Sequence, residues 1–108
     1  DRVAAVARSH PRVEVRAEAV QTFADHAEPE AAVRFLKPLA QGADQQEVRW
    51  EALEALGDLS DGAGIEAIID IVRATSDRET LRKAIDVLGD SDDPRAIAVL
   101  GDLIRRPR

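Results

Sequence analysis

Carboxylates recur at regular intervals along this chain of 108 residues, and the only tryptophan lies among them. Trp50 is followed at once by Glu51 and, one helical turn later, by Glu54. A tryptophan beside carboxylates is typical of a binding hot spot, because its ring offers apolar area and also attracts a cation. We therefore expect these residues to bind a protein or peptide, and a basic one if charge selects it. A solvated acidic face, with the Trp50 ring packed in a groove between neighbouring units, is the structural alternative.

Four further residues of the repeated sequence pattern are candidates for the same binding surface. They are Glu18, Glu47, Arg82 and Asp86. Glu47 also has a purely structural explanation, since an acidic residue in the first turn of a helix complements the helix dipole.

Arg16 and Arg49 recur at a single position of a repeated pattern. We expect them to tie one structural unit to the next by bonding loop carbonyls or a loop aspartate. The aspartates that fit this role are Asp25, Asp58 and Asp90.

The chain offers few groups for catalysis or metal binding. It has no cysteine, and its two histidines, His10 and His26, lie near predicted helix ends and form no i, i+4 pair. Such a pair is what a helical metal site needs. The serines fall in turns, where capping explains them, and the glycines form no phosphate-binding loop. We expect no enzyme, no cofactor and no metal.

Composition restricts the classes of partner. Hydrophobic residues make up 44% of the chain and charged residues 33%, which is typical of a folded protein. The net charge is −6, which argues against nucleic-acid binding. No apolar run approaches the roughly 18–20 residues of a membrane helix. The excess of Ala, Arg and Asp over Lys favours a bacterial source, and a cytoplasmic location is preferred.

The residues discussed so far belong to a sequence pattern that occurs three times in the chain, and this pattern predicts the elements that position them. Residues 15–25 return as 48–58 and, more loosely, as 80–90, so the closing aspartate recurs after 33 and then 32 residues. A fixed period of this length is the signature of a solenoid of stacked repeats. In such a fold each unit packs only on its neighbours, and the core is a thin continuous strip.

Each unit is predicted to contain two helices and no strand. In the second copy the apolar stripe is Val48, Ala52, Leu53 and Leu56, which share one helical face. No segment alternates apolar and polar residues at period two, as a half-buried strand would.

The predicted helix ends rest on capping residues. Asp44 with Glu47 and Ser76 with Glu79 have the spacing of capping boxes. Asp93-Pro94 and Glu28-Pro29 are typical helix starts, and Asp61-Gly62 is expected to open a helix in the same way. Gly57 and Gly89 are expected to end helices.

A helical hairpin of about 32 residues, with Asp93-Pro94 opening its first helix and Val-Arg-x-x-Ala-(Val/Leu)-x-x-Leu-Gly in its second, resembles the HEAT repeat. It is most similar to the short repeat of phycobilin lyases. The resemblance implies an all-α fold, a right-handed α-solenoid of antiparallel hairpins with about three and a half repeats. The units would span about 1–25, 26–58, 59–90 and, in part, 91–108, within a single domain. It also implies that the second helices line the concave face.

Three functions are compatible with this pattern. The preferred one is a non-catalytic scaffold whose acidic concave face binds another protein. A second is a subunit or chaperone-like part of a HEAT-like lyase, although the chain lacks the Cys and Tyr that would help to hold a pigment. A third is a spacer within a longer protein, because apolar stripes continue at both edges, at Val3 and Val6 and at Ile97, Leu100 and Ile104. Those edges would meet flanking domains or associate with one another.

Overall fold

The computed structural model describes residues 2–42 and 45–105. Within these ranges the chain forms seven α-helices, one short 3-10 helix at Ser60–Gly62 and no strand, as the sequence predicts. The α-helices are α1 (Arg2–Ser9), α2 (Val13–His26), α3 (Pro29–Gln41), α4 (Gln46–Asp58), α5 (Ile65–Ala74), α6 (Arg78–Gly89) and α7 (Pro94–Arg105).

The helices form two layers. The first helices of the units are α1, α3, α5 and α7, and the second helices are α2, α4 and α6. The helices α1, α3 and α5 each pack on the second helix of their own unit, and α7 packs on α5 and α6. In the second layer, α4 lies between α2 and α6. Contact is closer within the second layer than within the first. This stacking confirms the predicted solenoid, while its right-handed sense stays a prediction.

Aliphatic side chains fill the strip between the layers. All four residues of the predicted α4 stripe are fully buried. They are Val48, Ala52, Leu53 and Leu56. From α5, Ile65, Ile68 and Ile71 join them. Each large aliphatic side chain buried in this way contributes about 1.5–3 kcal/mol relative to an exposed one, so packing between the layers is the main source of stability.

The helix starts differ from the predicted capping boxes. The N-cap of α6 is Asp77, whose carboxylate accepts the Thr80 backbone N–H at 2.9 Å and the Thr80 hydroxyl at 2.6 Å. The Ser76–Glu79 box is therefore wrong by one residue. The Thr80 side chain is buried, and capping from Asp77 satisfies its hydroxyl, which a cap at Ser76 would not do.

The other helix starts follow the sequence more closely. Asp93 caps α7 as predicted, accepting the Arg95 backbone N–H at 2.9 Å. Hydrogen bonds from the Arg95 side chain and backbone lower the pKa of Asp93 to about 2. Glu28 is the N-cap of α3, with Pro29 in the first turn. Asp44 lies outside the described residues, and the N-cap of α4 is Gln45.

Gly57 does not end α4, which continues to Asp58. A Cβ atom at Gly57 would lie 2.4 Å from Cγ1 of Val87, so the glycine serves the close approach of α4 and α6. Asp61-Gly62 does not open α5 either, because φ is 57° at Asp61 and 69° at Gly62, in the left-handed region. These residues form the 3-10 turn before Ile65, whereas Gly89 ends α6 as predicted.

Polar contacts join residues 33 positions apart in adjacent units. Lys37 Nζ donates to Asp70 Oδ2 at 2.9 Å between α3 and α5. Arg95 donates to the Gly62 carbonyl at 3.1 Å, across the first-helix layer. These contacts, at a spacing equal or close to the repeat period, join neighbouring units through the first-helix layer.

Candidate functional site

The second-helix layer contains a cleft of about 210 Å³ between α4 and α6. We call it the α4–α6 cleft. Its lining residues are Glu54, Gly57, Asp58, Lys83, Asp86, Val87, Asp90 and Ser91. Four of these eight carry carboxylates, and one carries an ammonium group.

The repeat explains why the carboxylates converge. Glu54 and Asp58 lie one turn apart at the end of α4, and the same places 32 residues later belong to Asp86 on α6 and to Asp90, the C-cap of α6. Because residues four apart share one face of a helix, each helix presents two carboxylates to the cleft. Gly57 brings α4 close to α6 at this level. The two units thus contribute equally to the acidic lining.

Lys83 reaches from α6 to α4 and supplies the cation of the cleft. Its Nζ lies 2.8 Å from Glu54 Oε1 and 5.4 Å from the centre of the Trp50 ring. Its side chain is 20% exposed. An ammonium group held between a carboxylate and an indole face combines an ion pair with a cation–π contact. This contact shows how the cleft holds a basic side chain.

Trp50 is half-buried beneath Lys83. Its Nε1 is buried, and it has no hydrogen-bond partner within the described ranges. The ring is therefore packed against the neighbouring unit, as the structural alternative predicts, and it is not freely presented to solvent. A role for Trp50 in binding a partner stays a prediction.

Glu51 lies beside this cleft, and the charged groups of the cleft affect its pKa. Burial raises the pKa of Glu51, and the carboxylates of Glu54, Asp58 and Asp25 raise it further. Lys83 acts in the opposite direction. A raised carboxyl pKa means that the surroundings disfavour one more negative charge. The part of this effect that comes from the carboxylates of Glu54, Asp58 and Asp25 also favours an added cation, whereas the part that comes from burial does not.

The other predicted site residues do not join this cleft. Glu18 lines a different, mainly apolar groove with Val3, Val6 and Val15 of α1 and α2. Glu47 lies in the first turn of α4, and Arg82 is exposed on α6. Of the seven residues predicted from the sequence to bind a partner, Glu54 and Asp86 line the cleft, and Trp50 and Glu51 are adjacent to it.

Asp58 and Asp90 belong to the cleft but were interpreted from the sequence as partners of the repeated arginines. Arg49 lies 3.7 Å from Asp77, in the loop before α6, and Arg16 Nε donates to the Ala7 carbonyl at 3.3 Å. The Arg49–Asp77 contact joins two units through a loop aspartate, as the tying role requires, although Asp77 is not one of the three aspartates named for it. Arg16 and Ala7 lie in the same unit, so their contact does not tie one unit to the next. The recurrence of aspartate four residues after Gln21, Glu54 and Asp86 is the signal that could have placed Asp58 and Asp90.

The histidines make local contacts near helix ends. Nδ1 of His10 accepts the Arg12 backbone N–H at 3.1 Å, and Nδ1–H of His26 donates to the Thr22 carbonyl at 2.9 Å. Across residues 2–42 and 45–105, no three His, Asp or Glu side chains are placed to hold a metal ion. In that same part of the chain, no helix combines the length and the apolar character needed to cross a bilayer.

Comparison with known families gives one match. The model of HEAT repeats matches residues 1–78 and 33–108, which together cover the chain. Comparison with curated proteins and with solved structures gives no match. HEAT repeats generally act as scaffolds that bind other proteins.

Proposed function

This chain belongs to the HEAT repeat family, and we propose that it is a non-catalytic scaffold that binds a basic segment of a partner protein through the α4–α6 cleft. The convergence of Glu54, Asp58, Asp86 and Asp90 on one cleft carries this proposal. A partner enters along the second helices and places Lys or Arg side chains among these carboxylates.

Lys83 supports a basic partner because it occupies one end of the cleft in the same manner. Its ammonium group pairs with Glu54 and covers Trp50. Three carboxylates, those of Asp58, Asp86 and Asp90, line the rest of the cleft and are exposed. A cation from a partner meets a negative field there, and the same carboxylates are, after burial, among the causes that raise the pKa of Glu51.

Several contacts have to act together in this mode of binding. An exposed ion pair contributes about 0–1 kcal/mol, so a single Lys of a partner would bind weakly. Two or three cations spaced along an extended segment would add their contributions and would accelerate association. The expected partner is therefore a short stretch with several Lys or Arg, and binding should weaken as salt increases.

The closer packing within the second-helix layer agrees with a concave position for this face. In a curved stack of two layers the inner layer is the more closely packed one. A concave surface surrounds an extended segment on more than one side, which excludes water and strengthens each charge contact.

The test is binding to an array of random-sequence peptides. The cleft variant carries Asp58→Lys and Asp90→Lys, since both residues are exposed and reversal should leave the core intact. The control carries Glu30→Lys and Asp102→Lys on α3 and α7, which makes the same change in net charge on the first-helix layer. Circular dichroism verifies that all three proteins have the same helical content.

We expect the wild type and the control to select peptides rich in Lys and Arg, and the cleft variant to lose that selection. Peptides with no enrichment in basic residues would refute the basic-segment proposal. Selection of the same peptides by the cleft variant would place binding elsewhere on the molecule.

A further inference from the structure

Lys83 fills one end of the α4–α6 cleft with a cation that belongs to the chain itself. Its Nζ lies 2.8 Å from Glu54 Oε1 and 5.4 Å from the centre of the Trp50 ring. A carboxylate and an indole face are also the two groups that would bind a cation from a partner. The end of the cleft that is best suited to a cation is therefore already occupied.

The stack of helices does not depend on this contact. In the preceding pair of second helices, α2 and α4, the three equivalent places hold neither an aromatic ring nor a cation. Their residues are Ala17 for Trp50, Gln21 for Glu54 and Glu51 for Lys83. The helices α2 and α4 nevertheless contact each other more extensively than α4 and α6 do. The contact of Lys83 with Trp50 and Glu54 is therefore a feature of the cleft and not a requirement of the repeat.

The use of lysine at this place makes the contact easy to break. Of the 15 Lys and Arg residues of the chain, only Lys37 and Lys83 are lysines. An arginine would stack on the indole and would bind the carboxylate through two parallel hydrogen bonds, whereas the ammonium group of lysine is a point charge on a flexible stem. The cleft is therefore occupied by the more weakly held of the two cations that the chain uses.

We propose that Lys83 is an internal competitor for the α4–α6 cleft, and that an arginine of the partner displaces it from Glu54 and Trp50. This role rests on the proposed function, because it concerns the same cleft. A lysine of the partner would only exchange one ammonium group for another, so the Trp50 end of the cleft selects arginine.

Exposure and tethering set the order of events. The Glu54 side chain is 52% exposed, so a guanidinium group can approach it from solvent while Lys83 is still in place. A competitor on the same chain acts at a high effective concentration, which a free arginine side chain does not match. A segment already held by Asp58, Asp86 and Asp90 presents its arginine at a comparable effective concentration. Displacement of Lys83 therefore follows docking of the segment.

The direct test is the NMR spectrum of the protein isotope-labelled at the Cε atom of lysine. The chain gives only two such signals, from Lys37 and Lys83. The ring current of Trp50 shifts the Lys83 signal. Lys37 pairs with Asp70 on the first helices and is the internal control. The probes are an oligo-arginine and an oligo-lysine peptide of equal length, and anisotropy of a fluorescent label on each peptide measures its affinity.

We expect oligo-arginine to move the Lys83 signal towards that of a fully exposed lysine and to leave the Lys37 signal in place. Oligo-lysine should bind less tightly and leave both signals unchanged. Binding of oligo-arginine without a change in the Lys83 signal would overturn the role of Lys83 but not the proposed function. Absence of binding by both peptides would refute the proposed function and, with it, the role of Lys83.

Protein variants give a second measurement of the competition. Lys83→Ala opens the place beside Trp50 and Glu54, so oligo-arginine should bind about fivefold more tightly, the factor that corresponds to about 1 kcal/mol. Lys37→Ala makes the same change in net charge on the first-helix layer, and it should leave the affinity nearly unchanged. Circular dichroism verifies that the variants keep the helical content of the wild type.

Lys83→Arg separates competition from charge, because it keeps the net charge and strengthens the competitor. Oligo-arginine should bind this variant about twofold to fivefold less tightly than the wild type. Attraction by net charge alone predicts equal affinity. Equal or tighter binding by Lys83→Arg, or an equal effect of Lys83→Ala and Lys37→Ala, would overturn the proposal and leave Lys83 as a structural ion pair.

Discussion

The ammonium group of Lys83 lies 5.4 Å from the centre of the Trp50 ring, so that α6 of one unit covers the indole of the unit before it. The same nitrogen lies 2.8 Å from Glu54, and the indole nitrogen beneath is buried. This contact joins two repeats and lies at the edge of the α4–α6 cleft. It makes the single tryptophan a reporter of that cleft.

Lys83→Met should change the fluorescence of Trp50 and lower the free energy of unfolding by about 1 kcal/mol, the sum expected of an exposed ion pair and a cation–π contact. Tryptophan emission and chemical denaturation measure the two effects. Lys37→Met is the control, because Lys37 pairs with Asp70 at a similar distance, 2.9 Å, but on the first helices. An emission spectrum that Lys83→Met leaves unchanged would contradict the arrangement.

Asp77→Ala should lower Tm by about 4–8 °C, as loss of an N-cap does in a domain of this size. The variant leaves the Thr80 backbone N–H and its buried hydroxyl without the carboxylate that accepts from both. Ser76→Ala should change Tm very little, since Ser76 precedes the cap and is exposed. Thermal denaturation followed by circular dichroism separates the two. A larger fall in Tm for Ser76→Ala than for Asp77→Ala would support the Ser76–Glu79 capping box instead.

Gly64→Ala should destabilise the protein by about 1–3 kcal/mol through overpacking. A Cβ atom at Gly64 would lie 2.1 Å from the Leu56 carbonyl oxygen, and a backbone atom at that junction of α4 and α5 cannot move aside. Gly89→Ala should be neutral or stabilising by up to about 1 kcal/mol, since alanine favours helices. A Cβ there meets no atom of the described residues within 4 Å. Denaturant titration of both variants is the measurement, and equal effects would refute the packing argument.

Glu51→Gln should raise stability at pH 7. Burial and the neighbouring carboxylates raise the pKa of Glu51 on folding, so the ionised form is disfavoured in the folded state. That penalty is present above the raised pKa and disappears as pH falls below it, where the wild-type side chain becomes neutral like glutamine. The stability difference between the two proteins should therefore shrink as pH is lowered toward 4.5 and below, the ordinary value of the group.

Glu47→Gln is the matched control for this effect. Glu47 is exposed in the first turn of α4, where a negative charge complements the helix dipole. Its substitution should leave stability at pH 7 unchanged or slightly lower. Urea titrations across this pH range give the comparison. A Glu51→Gln variant less stable than the wild type at pH 7 would show that Glu51 makes a favourable contact instead.

The sequence by itself determined the repeat, the helical class and the buried faces. Val48, Ala52, Leu53 and Leu56 recur on one side of a 3.6-residue period, and all are buried in the structure. Helix ends were predictable only to within a few residues. Asp77 and Ser76 are both good capping residues, and the burial of Thr80 selects between them.

Only the tertiary structure decided which carboxylates meet. Glu18, Glu47 and Glu54 look alike in the sequence, yet only Glu54 reaches the α4–α6 cleft. The position of one unit relative to the next decides which carboxylates of α4 and α6 become neighbours. That position depends on how closely α4 and α6 approach at Gly57. Lys83 covers Trp50 for the same reason. Periodicity specifies the face of a helix on which a side chain lies, and the packing between helices specifies what that face meets.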